Sequence, residues 1–194
     1  MNTLTQRHRA QQLLLRRATV SQLKQLWPAL DWNRLDATYP DFAVRVAALV
    51  DRNRQTSAGL AAGYLRAFRR AEGVPGEVRV VFAQPLIVDQ FNPTLHSTTV
   101  AAAKSAAARG VVADVAMSNA LTLAQGAMAR LVLDAGRQTI TKTLATEGAR
   151  WQRVLGGGGC DFCQMLAGRG AVYAEDTADF EAHGACGCTA EPVY

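Results

Sequence analysis

The chain has 194 residues, 49% of them apolar, and a formal net charge of +5. This length makes one or two domains with enough apolar material for a core, and the absence of any apolar run approaching about 18 residues excludes a membrane-spanning helix. The charge is unevenly placed: residues 1–79 hold 13 Lys or Arg against 6 Asp or Glu, a net of +7, and the remainder holds 8 against 10, a net of −2.

Taken in chain order, Leu13, Leu14 and Leu15 followed by Leu23, Leu26 and Trp27 predict an amphipathic helix that ends near Pro28, because proline cannot donate inside a helix. A second helix is expected from about Pro40, a residue suited to a first turn, through Phe42, Val46, Leu49, Val50, Leu60, Tyr64, Leu65 and Phe68. Gly73-Val74-Pro75-Gly76 stops it. Residues 77–82 read as a short strand with Val78, Val80 and Phe82 on one face. Pro85 and Pro93 are expected to keep the following segment irregular or extended.

From about Asn92 to Trp151 the chain is rich in alanine, with Leu, Met and Val at helical intervals. This predicts two or three helices, with Gly110, Gly126, Gly136 and Gly148 as weak points. No segment repeats at a fixed period. Gly156 to Gly159 reads as a flexible linker, although glycine beside a ligand also lets the backbone wrap an ion. The expected fold is mainly α: a helical N-terminal arm with a short β segment and a small C-terminal zinc-stapled α+β module. Its divisions are a basic helical region over 1–76, a short strand plus Ala-rich helices over 77–155, and a Cys/His metal-binding module over 156–194.

All four cysteines fall in the last 35 residues, as Cys160 and Cys163 and then, with His183, as Cys186 and Cys188. Zinc takes four soft or borderline ligands in tetrahedral array, and a C-x-x-C turn can point two sulfurs at one ion. His183 and Cys186 repeat the two-residue spacing, and Cys188 follows at C-x-C. Five candidates compete for four places; Cys160, Cys163, His183 and Cys186 are the first choice, with Cys188 the replacement for His183. The even cysteine count also permits two disulfides or four free thiols. The polar, basic opening of the chain lacks the apolar stretch of a secretory leader, which favours metal over cystine. A module this small buries little apolar area, so a metal would supply folding free energy directly.

The run Trp151-Gln152-Arg153-Val154, the Gly156–Gly159 turn, Cys160-Asp161-Phe162-Cys163-Gln164-Met165-Leu166, Arg169-Gly170-Ala171-Val172-Tyr173, His183, Cys186-Gly187-Cys188 and Glu191-Pro192-Val193-Tyr194 resembles the C-terminal module of MuF-like minor head proteins. These are head-morphogenesis proteins of tailed bacteriophages, and the version here is most similar to those of phages infecting actinobacteria. The detailed match covers roughly the last 45 residues; upstream the likeness is one of layout. The resemblance implies a structural protein of the capsid interior or portal vertex, present in the virion and, during assembly, in the host cytoplasm. It implies portal protein, major capsid protein or both as partners, with packaged double-stranded DNA close to the basic N-terminal half and no membrane partner.

Arg7, Arg9, Arg16, Arg17, Arg52, Arg54, Arg66, Arg69 and Arg70 of the basic half could contact phosphates, or could be the solvated face of amphipathic helices. Trp27, Trp32 and Trp151 read as packing anchors, and His8 and His96 as surface residues. Arg169 and Tyr173 read as supports of the metal loop. Glu175, Asp176, Asp179 and Glu181 are positioned to hydrogen-bond His183 or to face solvent. No H-E-x-x-H, G-x-S-x-G or phosphate-binding loop is present, and the H-x-E of zinc deaminases is broken by Ala185. A non-enzymatic protein is expected. The alternative is a zinc-dependent DNA-binding or regulatory module, weakened because Cys160 to Tyr194 carries one Arg against six acids.

Overall fold

A computed structural model describes residues 2–156, 159–174, 180–183 and 186–194. Helix α1, Thr3–Leu26, begins where the Asn2 side chain accepts from the Leu4 N–H at 2.9 Å and ends one residue before Trp27-Pro28. Two single 3₁₀ turns follow, the second capped by Asp31, whose carboxylate accepts from Asn33 N–H. Helix α2 then runs over Leu35–Ala71. Its start precedes the expected Pro40 by five residues, because Leu35 belongs to the same buried stripe as Phe42, Val46 and Leu49 and anchors the first turn. Gly73, at φ +68°, turns the chain out of the helix.

The expected strand over 77–82 is not one. This stretch is extended but lies along a helix: the Val81 and Ala83 N–H groups donate to Thr143 Oγ1 at 3.0 Å and Thr139 Oγ1 at 3.1 Å. Threonine hydroxyls thus take the place of a partner strand in satisfying the backbone. The expected irregularity around Pro93 is also overturned. Helix α3, Val88–His96, contains Pro93 and is fixed by buried Phe91 and Leu95 at i and i+4. A π turn over Ser97–Ala101 leads into α4, Ala102–Ala108, and Gly110 (φ +82°) makes the turn into the 34-residue α5, Ala113–Thr146.

Helix α5 passes unbroken through Gly126 and Gly136. At Gly136 the reason is close approach: a Cβ there would stand 2.7 Å from Ser57 Oγ, 2.8 Å from Gln12 Nε2 and 3.1 Å from Ser57 O. Three helices meet at this point through buried hydrogen bonds. Gln12 Nε2 donates to Ser57 O, Ser57 Oγ donates to Gln12 Oε1, and Gly136 N–H donates to Ser57 Oγ.

The α1, α2 and α5 helices enclose most of the core. One cluster gathers Leu23, Phe42, Val46, Leu49, Phe91, Leu95 and Val132, with Trp27 edge-on to Phe42 and Trp32 packed against its margin. A second joins Leu65, Phe68, Ile140 and Leu144 to Trp151, Tyr173 and Ala190 of the C-terminal segment. That segment contains strand β1, Arg150–Val154, helix α6, Asp161–Gly168, and strand β2, Thr189–Val193. The strands pair antiparallel, with Trp151 opposite Pro192 and Arg153 opposite Ala190. Mainly α with one small antiparallel sheet is therefore the architecture.

His8 is not a surface residue. It is 2% exposed and stacks on Tyr64 with ring centroids 4.5 Å apart, and its Nδ1 has no hydrogen-bond partner among the described residues. Burial lowers its pKa to about 4. His96 is exposed, as expected, edge-on to Tyr39. Several arginines of the basic half also turn inward. Arg54 is buried and donates to Leu131 O and Gln84 O, Arg69 pairs with Glu147, and Arg9 Nε reaches Gly187 O at 3.3 Å.

Candidate metal centre

Cys160 caps α6, whose first turn places Cys163 one helical step further along, so the C-x-x-C pair points to one side. Strand β1 delivers the chain to α6, and its pairing with β2 returns Cys186 and Cys188 to the same place from about 25 residues downstream. Cys160 Sγ lies 3.4 Å from His183 Nε2, Cys163 Sγ lies 4.0 Å from the same nitrogen, and Cys163 Sγ lies 3.8 Å from Cys186 Sγ. Ligand atoms of Cys160, Cys163 and His183 all fall within 4.8 Å of one another, as do those of Cys163, Cys186 and Cys188. All five predicted donors are brought together, and Cys163 is common to both trios. A tetrahedral ion bound at about 2.3 Å by sulfur and about 2.0 Å by nitrogen separates its ligand atoms by about 3.5–3.8 Å. The observed separations fit that size, and the cluster could hold a metal ion.

Cys163, Cys186 and Cys188 are buried, whereas Cys160 and His183 stand at the exposed rim. The expected linker at Gly156 is instead packed: a Cβ there would lie 2.8 Å from the Gly187 backbone, and Gly156 N–H donates to Cys188 Sγ at 3.5 Å. Glycine lets two backbones close over the thiols. Gly157 and Gly158 lie outside the described residues.

Two arginines absent from the expected site hold it in place. Arg153 of β1, 4% exposed, donates to Cys163 Sγ at 3.9 Å and to Glu181 O at 2.7 Å, and its guanidinium sits 3.9 Å over the Phe180 ring. Arg137 of α5, also 4% exposed, donates to Cys186 O at 2.8 Å and twice to Cys188 O at 3.2 Å, and is paired with Asp134 at 2.7 Å. Phe180 lies under both guanidiniums and stacks on Trp151, which stacks in turn on Tyr173 at 4.4 Å. The Tyr173 hydroxyl donates to Leu166 O at 2.6 Å, bracing α6.

The thiols are electrostatically unequal. Burial pushes the Cys163 thiol up. A hydrogen bond with Cys188, then burial, pushes Cys186 up well beyond the ordinary thiol range. The same hydrogen bond, with Gly156 N–H assisting, brings Cys188 down to about 7. Of the buried trio, Cys188 therefore gives up its proton most readily; a bound cation would displace the protons of Cys163 and Cys186, since the thiolate is the ligand form.

Over residues 2–194 the sequence matches the family described as VG15 protein. The chain belongs to the VG15 family. This is a viral, phage-protein family, so the polypeptide is a phage protein. Among curated proteins and among solved structures, no match is found.

In this VG15 protein the expected roles of several residues change. Arg169 is exposed and, among the described residues, approaches Met165 Sδ at 4.0 Å, while Arg153 and Arg137 hold the cysteine segments. Tyr173 supports the loop as expected. Glu181 contributes its carbonyl, to Arg153, while Glu175, Asp176 and Asp179 lie outside the described residues. The signal for Arg153 was its alternation with Trp151 in a strand beside the cysteines; Arg137, on a helix 49 residues before Cys186, left none.

Proposed function

We propose that this VG15 protein is a structural minor capsid protein acting in head morphogenesis of a tailed phage, located at the portal vertex or capsid interior of the virion. In the host cytoplasm it would join portal protein, major capsid protein or both during assembly and DNA packaging. The observation that carries this reading is the match of nearly the whole chain to a phage-protein family, and the MuF-like C-terminal motifs sharpen it to a minor head protein. Cys160, Cys163, His183 and Cys186 would hold a structural zinc ion, with Cys188 the substitute for His183; the group would supply cross-linking of the module and no reaction. Three buried thiols and five crowded donors support a closed site over an open, catalytic one. The protein is accordingly read as non-enzymatic. The regulatory alternative, a zinc-dependent DNA-binding module, is disfavoured by the acidic balance of the module itself.

Two measurements test the reading. Mass spectrometry of purified virions and procapsids should find the protein with portal; its absence from both overturns the head assignment. Zinc-edge X-ray absorption of the purified protein should report three sulfurs and one nitrogen. Four sulfurs would replace His183 by Cys188, and a metal-free protein with oxidised thiols would replace the ion by a disulfide clasp.

A further inference from the structure

The outward face of α2 carries a line of exposed residues that no other described part of the chain buries. Arg45, Ala48, Arg52, Thr56, Gly59, Gly63, Arg66 and Arg70 follow one another at intervals of three and four and are all exposed, which on a helix puts them on one narrow stripe. Between Arg45 and Arg70 the only acid on this helix is Asp51, half-buried on the flank, where it accepts from Gln55. Asp41, one turn before Arg45, is an exposed acid in line with the stripe, and exposed Glu77 shares a pocket with Arg66 and Arg70 beside its far end. Unlike those of Arg54 and Arg69, the side chains of these four arginines make no hydrogen bond or ion pair among the described residues.

At 1.5 Å rise per residue, Arg52 lies about 10 Å along the axis from Arg45, Arg66 about 32 Å and Arg70 about 38 Å. A strand of B-form DNA returns to the same face of the duplex once per turn, every 34–36 Å or so, and Arg66 and Arg70 bracket that repeat measured from Arg45. Arg52 is spaced for the opposite strand across a minor groove about 6 Å wide plus its flanking phosphates. Between the two arginine pairs stand Gly59 and Gly63, where an added Cβ would meet nothing within 4 Å. Glycine is the poorest helix former after proline, and here no packing inside the protein requires it. Its effect is to leave the line bare, so that no side chain holds the helix off a long straight partner.

We infer that this stripe is a docking surface for the phosphate backbones of duplex DNA lying parallel to α2. It is sequence-independent, because every contact is to phosphate. The inference deepens the head-protein reading and rests on it for the source of the DNA.

The test is fluorescence anisotropy of the full-length protein with a labelled mixed-sequence duplex of 25 base pairs, titrated across salt. Three or four phosphate contacts predict a log–log salt slope of about −3 to −4. Gly59→Glu and Gly63→Glu place a carboxylate in open space on the stripe and should each weaken binding at least tenfold while leaving thermal unfolding cooperative. Leu123→Glu, an identical charge change at an exposed site on α5, should stay within twofold of the parent. Equal loss from Leu123→Glu and Gly59→Glu would overturn the stripe, as would absence of duplex binding. Displacement of the duplex by poly-glutamate at equal charge concentration would assign the face to acidic proteins and overturn the DNA reading. Presence in virions without stripe-dependent binding sinks this inference alone; stripe-dependent binding by a protein absent from virions and procapsids sinks the head assignment alone.

Discussion

Replacing His8 by Phe should remove a specific part of the acid sensitivity of this protein. The imidazole is buried between Tyr64 and a small pocket lined also by Arg9, Gln12 and Arg137, and its folded-state pKa is lowered from 6.5 to about 4. A depressed imidazole pKa means that the unfolded chain takes up the proton first. The neutral ring is therefore without penalty above about pH 6.5, and stability falls as pH drops from there toward about 4. Integrated to pH 5, the difference is about 2 kcal/mol relative to pH 7.5. Phe keeps the aromatic stack and removes the Nδ1 that has no hydrogen-bond partner among the described residues, so at pH 7.5 the variant should equal or exceed the parent. The assay is urea unfolding of both proteins at the two pH values. Any other group that titrates does so equally in both proteins and cancels in the comparison. Parallel losses in parent and variant would refute the argument that His8 is held neutral.

Glycine substitutions should separate by environment. Gly136→Ala forces a methyl against Ser57 and Gln12 and should destabilise by about 1–3 kcal/mol, whereas Gly59→Ala and Gly63→Ala meet open space and should each stabilise by up to about 1 kcal/mol; thermal melts that failed to split in sign would contradict the packing described. Arg137→Met removes the donors to the Cys186 and Cys188 carbonyls and should lower metal affinity about 10- to 100-fold, read by competition with a chromogenic chelator on protein shown to be folded. Stripping metal with a strong chelator should lower the melting temperature of the parent and leave Cys163→Ser, already lacking the donor shared by both trios, much less affected.

Helices and cysteines were legible in this sequence to different depths. Apolar spacing located α1 and α2, but only α2 buries an apolar stripe; α1 buries Thr5, His8, Gln12 and Thr19 beside Leu23 and leaves Leu14 exposed. The α2 start was placed at Pro40, since a local proline signal is visible and the burial of Leu35 is not. The strand expected at 77–82 had the right alternation, but what an extended segment pairs with is a tertiary matter, and here it found Thr139 and Thr143. Gly136 looked like a weakness for the same reason: its purpose lies in Ser57 and Gln12, two other helices away. The Cys/His cluster that could hold a metal was readable because ligand spacing is local chemistry. The arginines that hold its carbonyls and sulfur were not, because nothing in the sequence near Arg137 refers to the cysteines. His8 was misplaced because its distance from the cysteines in sequence says nothing of burial, and it lies on the one buried face of α1 with Thr5, Gln12 and Thr19.

The backbone N–H of Asn2 reaches the Glu191 carboxylate at 3.3 Å, and the same carboxylate receives Gln152 at 2.8 Å. These contacts join residues 189 and 39 positions apart in sequence. Until Glu191 is in place the first turn of α1 has no seat, and the apolar side that it should cover stays open to solvent. Contacts of such separation close late in folding. During that interval the exposed surface is a natural point for a chaperone, or for the first assembly partner, to take hold.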